Sequence, residues 1–124
     1  MINDPVLYHG TRYLGAILRS NTISLPPSGY PMVSLTRDPR VAAYWAQLPR
    51  DDDEGAGAVL VLSRTRLAHR YRIRPFRDEG CFDWQTRTFE TDEAEEMIWG
   101  RPITNLRNFL LEIRHVPERQ KIAA

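Results

Sequence analysis

Cysteine is nearly absent from this sequence: Cys81 stands alone, so no disulfide forms within the chain and nothing calls for an oxidising compartment. The same scarcity leaves no CxxC or comparable spacing for a zinc site. Lysine is as rare. Lys121 is the only one against sixteen arginines, so almost all positive charge sits on planar, forked guanidiniums suited to carboxylates and phosphates. Net charge is lacking too. Seventeen basic residues face sixteen acidic ones, and bulk charge argues for neither nucleic acid nor membrane as a partner. No apolar run approaches the roughly 20 residues that cross a bilayer, and the amino terminus lacks the basic and apolar regions of a secretory leader. These absences favour a cytoplasmic setting.

What is present is an ordinary globular composition, 42% hydrophobic and 27% charged over 124 residues, enough for one core and one domain. "VLYHG" predicts a buried strand over residues 6–9. In "TRYLGAILRSN", Leu14, Ile17 and Leu18 fall on one helical face, with Thr11 placed to cap the helix and Asn21 to end it. "TISL" and "PMVSLT" predict two short strands around the turn "PPSGYP". "RDPRVAAYWAQLP" carries a strong helix start, Asp38 at the N-cap and Pro39 after it, and an apolar stripe of Val41, Tyr44, Trp45 and Leu48. The charged "RDDDEGAG" predicts a solvated loop, and "AVLVLS" a buried strand. "RTRLAHR" offers one helical turn, and "YRIRP", "EEMIWG" and "NFLLEIRHV" three more strands. Between Phe76 and Asp92 no periodicity emerges, although Phe82, Trp84 and Phe89 stand out there. The expectation is one α+β domain over residues 1–116 with two small packed β-sheets, two helices near the amino terminus, and a tail over 117–124.

Three pieces invite a chemical reading, and each also has a plain structural one. His9 alone is more often a satisfied structural histidine. Tyr44 sits on an apolar stripe, where packing is the default. Glu96 belongs to a run with Glu93 and Glu95 that would ordinarily be solvated. Against this, period two along "EEMIW" puts Glu96 on the face of Ile98, and a carboxylate on an apolar face needs partners or a function.

Taken in order, "YHGT", "VSLTRDPRVAAYWA" and "EEMIWG" resemble the ADP-ribosyltransferase family, in its His-Tyr-Glu branch of diphtheria-toxin-like and poly(ADP-ribose) polymerase-like enzymes. The likeness runs from about residue 7 to residue 115. It implies NAD as substrate, no metal, and a macromolecular acceptor, either protein or nucleic acid. It further implies catalytic roles for His9, Tyr44 and Glu96: His9 on a ribose hydroxyl, Tyr44 stacked on the nicotinamide, and Glu96 beside the cation formed as nicotinamide leaves. The Gly10 backbone would hold the nicotinamide amide, with Thr11 and Ser34 lining the site and Arg12 or Arg37 meeting the pyrophosphate. Two departures stand out. Ser34 occupies the place of a further tyrosine, for which Tyr30 and Trp45 are the candidate substitutes, and Ala94 breaks the Glu-x-Glu pattern of arginine-modifying members. A toxin- or phage-type transferase is the leading expectation; a silent binding module for NAD, ADP-ribose or nucleic acid, and an NAD glycohydrolase, are the alternatives.

Overall fold

The computed structural model describes residues 5–26, 31–75 and 95–117. Among the described residues, six strands form a single antiparallel sheet: β1 (Val6–Thr11), β2 (Met32–Thr36), β3 (Gly57–Ser63), β4 (Ile73–Pro75), β5 (Glu95–Trp99) and β6 (Leu110–Val116), in the order β4-β5-β2-β1-β3-β6. The same described residues hold three helices, α1 (Leu14–Ser20), α2 (Pro39–Ala46) and α3 (Arg64–Arg70), and one 3-10 turn at Leu106–Asn108. The α+β class holds, but the two packed sheets expected from sequence are one sheet in two unequally joined halves. The β1–β3 ladder runs through six register pairs, whereas β1 meets β2 only at Tyr8↔Thr36. Period-two arguments identify strand faces; they carry no information on which edges join.

The larger core lies on one face of the sheet, where Leu7, Val33, Leu35, Leu60, Leu62 and Ile98 meet Ile17 of α1 and Leu67 of α3. Burying each such side chain contributes roughly 1.5–3 kcal/mol. The second, smaller core is on the other face. There Ala42 and Ala46 of α2 lie on Val59, flanked by Tyr8 and Val116.

This second core corrects the stripe expected for α2. The helix buries its alanines, while Tyr44 and Trp45 remain 45% and 37% exposed. The cause lies in the strands beneath. A methyl group at Gly10 would collide with the Ala42 carbonyl, and one at Gly57 with the Ala46 carbonyl, so two side-chain-free positions let the small face of α2 sit directly on the backbone.

Other expectations shift as well. "RTRLAHR" makes the full seven-residue α3, capped by Ser63 accepting from the Arg66 N–H at 3.2 Å. "TISL" contributes one isolated bridge, Ile23↔Ile103. Thr11 ends β1 and does not cap α1. Phe82, Trp84, Phe89, Tyr30 and most of the tail lie outside the described residues. No described helix is long and apolar enough to cross a membrane.

The charged loop after α2 is tied down at two points. Glu54 supplies the cap that α1 lacks, accepting from the N–H groups of Gly15 and Ala16 at 2.7 and 3.0 Å. Asp53 accepts from Arg12 Nε at 2.9 Å and from the N–H groups of Arg50 and Gly55 at 2.8 and 2.6 Å. Arg12 above all, then these two amides, holds the Asp53 carboxyl at about 2, against an ordinary 3.8. A folded pKa below the unfolded one means that the carboxylate stabilises the fold fully above about pH 4 and progressively less as pH falls toward 2. Asp53→Asn is therefore expected to flatten the acid side of the thermal-midpoint profile in that window. A profile parallel to wild type would remove Asp53 from the acid response.

Candidate functional site

His9 and Glu96 share the face of the larger core. His9 is paired with Leu60 across the β1–β3 ladder, and Glu96 with Leu35 across the β2–β5 ladder, and directly opposed residues project to the same side. Continuing the Tyr8↔Thr36 register puts Leu35 between them. Their backbones then stand two strands apart, about 10 Å.

The His9 ring sits where β1 and β2 stop pairing. Its Nδ1 lies 3.0 Å from the Ser34 carbonyl oxygen. A carbonyl only accepts, so the nitrogen facing it carries the proton and Nε2 is left as the acceptor of the neutral ring. Burial depresses the pKa of His9 below its ordinary 6.5, and Arg50 adds to this, while the Ser34 bond opposes it. Neutral His9 at physiological pH thus presents one lone pair, suited to a hydroxyl donor.

Glu96 is 6% exposed and bound to two arginines. Arg64, at the start of α3, donates from Nε and Nη2 to Oε1 at 3.0 and 2.9 Å. Arg37, in the turn from β2 to α2, places Nε 3.3 Å from Oε2. Both arginines reach solvent, their side chains being 37% and 59% exposed, whereas the carboxylate they hold is buried. Glu95 pairs with Thr36 and projects to the opposite face, which settles the register between the two glutamates.

The remaining sequence-derived residues separate. Gly10 packs its backbone under α2. Thr11 is buried and accepts from the Tyr13 N–H at 2.9 Å, closing the turn after β1. Ser34 contributes its carbonyl to His9. The Arg12 guanidinium is engaged by Asp53 and by the Ala46 carbonyl at 3.3 Å, which makes it a brace between the loop and α2. Tyr44 lies on the outward side of α2, on the far face of the sheet from His9 and Glu96, its ring edge-on to Trp45 at 5.3 Å. Arg64 was missed by sequence reasoning. Its only signal is its position, one residue past a buried strand and at the start of a helix.

Comparison with protein-family models, with curated proteins and with solved structures finds no match.

Two hollows among the described residues lie elsewhere, one of about 410 Å³ along α3 and one of about 210 Å³ beside β4 and β5. Among the described residues no group of three or more His, Cys, Asp or Glu side chains is placed to hold a metal.

Proposed function

We propose that the chain is an NAD-dependent ADP-ribosyltransferase of the His-Tyr-Glu type, a fold and activity suggested by the order of "YHGT", "VSLTRDPRVAAYWA" and "EEMIWG". One observation carries the reading: a buried carboxylate, Glu96, and a neutral histidine with an open acceptor, His9, share a face of the sheet on either side of the weakly paired β1–β2 junction. Cleaving the nicotinamide–ribose bond moves positive charge from the pyridinium ring onto the sugar. A carboxylate fixed on a strand stabilises that oxocarbenium-like state without reorganising. His9 Nε2 would accept from a ribose hydroxyl and set the sugar's orientation.

The two arginines fit this chemistry by exchange. With Arg37 and Arg64 both on Glu96, the local charge is net positive and opposes a cation. NAD brings a pyrophosphate with two negative charges, and guanidiniums match phosphate oxygens as well as they match a carboxylate. Turning onto the pyrophosphate, Arg37 and Arg64 would leave Glu96 facing the ribose. The bond to nicotinamide breaks, the acceptor's nucleophilic atom bonds to the anomeric carbon, and its proton passes to solvent. With water as acceptor the same step is NAD hydrolysis.

The same arginines also favour a second reading. A carboxylate neutralised by two guanidiniums is a sufficient structural ion pair, and Tyr44 stands away from His9, so a silent module that grips NAD or ADP-ribose accounts for the same contacts. Nicotinamide release distinguishes the two. Incubation with labelled NAD and cell lysate is expected to release nicotinamide and label a macromolecule, and separate protease and nuclease digestion identifies the acceptor class. NAD binding without nicotinamide release, with lysate or without, would favour the silent module.

A further inference from the structure

Although nearly neutral overall, the chain is unevenly charged. Residues 64–75 hold five arginines and residues 97–111 two more, with no Asp or Glu in either segment. The fold joins them through β4 and β5. Ile73↔Ile98 and Arg74↔Met97 are register pairs, and one step further sets Arg72 opposite Trp99. Arg72, Arg74 and Trp99 therefore share a face, opposite to that of Ile98 and Glu96.

Among the described residues, α2 covers the sheet over β1 and β3 on this face. Trp99 is 52% exposed, the most exposed large hydrophobic side chain among the described residues. With Arg72, Arg74, Arg101 and Ile98 it lines the hollow of about 210 Å³. Arg101 is steadied by the Tyr71 ring, 5.1 Å from its guanidinium carbon. No ion pair among the described residues engages Arg72, Arg74 or Arg101. The carboxylate on this face of β5 is Glu95, four residues from Trp99 and so about 13 Å along the strand.

An exposed indole that lines one hollow with three arginines matches a ligand that has both flat faces and negative charges. We propose that this surface binds single-stranded nucleic acid, one unpaired base stacking on Trp99 while neighbouring phosphates meet Arg72, Arg74 and Arg101. A duplex conceals its base faces, and an acidic peptide offers charge without a ring to stack. Binding here is independent of the NAD reading, because it uses the opposite face of β5 and needs no NAD.

The test is fluorescence anisotropy on the intact chain without NAD, using end-labelled oligothymidylate and oligouridylate of about 12 nucleotides, within the usual footprint range. Both strands are expected to bind, with log affinity falling against log salt at a slope of about −2, as three phosphate contacts give. Trp99→Ala should weaken binding about tenfold and leave the slope unchanged, with Trp99→Phe restoring most of it. Arg72→Gln with Arg74→Gln should flatten the slope by about 1.4. Thermal melts confirm that these surface variants fold. The proposal is overturned if neither strand binds at low salt, if Trp99→Ala binds as tightly as wild type, or if a duplex, heparin, an acidic peptide or anionic vesicles bind as well as the single strand.

Discussion

Gly57→Ala is expected to destabilise the protein by about 3 kcal/mol, the upper range for overpacking a close contact. The new methyl group would meet the Ala46 carbonyl, which is backbone and has no rotamer to retreat into. Relief requires α2 to lift from β3, opening the core that Ala42, Ala46 and Val59 share. Arg12, which donates to the same Ala46 carbonyl, would lose its seat as well. Gly55→Ala is the control. Nothing lies within 4 Å of a methyl group there, but φ is +83°, so about 1 kcal/mol of backbone strain is expected. Urea titrations of the two variants should rank them clearly. Equal midpoints would mean that α2 recedes without loss and that the glycine contact does not hold it.

Glu96→Gln should reduce nicotinamide release at least about 100-fold, the usual loss when a charge-stabilising group is removed. The amide keeps the volume of the carboxyl, and its oxygen still accepts from Arg64. Arg37 loses its charged partner but is 59% exposed and can turn to solvent; because Glu96 itself is buried, a stability loss of about 1–3 kcal/mol is expected beside the activity loss, and a thermal melt reads it. Glu95→Gln should keep most activity, because that side chain projects to the other face. Should Glu95→Gln prove the more damaging, the site would lie on the α2 side of the sheet, with Tyr44. A pair of active variants would leave Glu96 as an ion-pair anchor only.

Where side chains alternate strictly, the sequence was a sufficient guide. Period two put Glu96 with Ile98, and both are buried, at 6% and 1% exposure. Asp38 and Pro39 located the start of α2 correctly. The helix face was misread because apolar periodicity weighs Tyr44 and Trp45 above alanine, whereas the contact was decided by glycines on strands far away in sequence. Gly10 and Gly57, read together with the alanines of "RVAAYWA", were the available signal. Sheet number was likewise hidden, since a single register pair, Tyr8↔Thr36, separates one sheet from two. Arg12 looked like a free cation because Asp53, its partner, lies 41 residues on. In each case the deciding partner is distant in the chain, and local pattern carries no trace of it.

The central claim is that His9 and Glu96 flank one NAD site, and the three histidines of the chain permit a direct test. In nitrogen-15 spectra of the imidazoles, His69 and His115 are exposed and serve as internal references, while His9 should appear neutral with its proton on Nδ1. Titration with NAD is expected to move the His9 Nε2 resonance toward that of a hydrogen-bonded acceptor and to leave the references in place. The contrary result is an unmoved His9 resonance at NAD concentrations that shift His69, His115 or nothing at all.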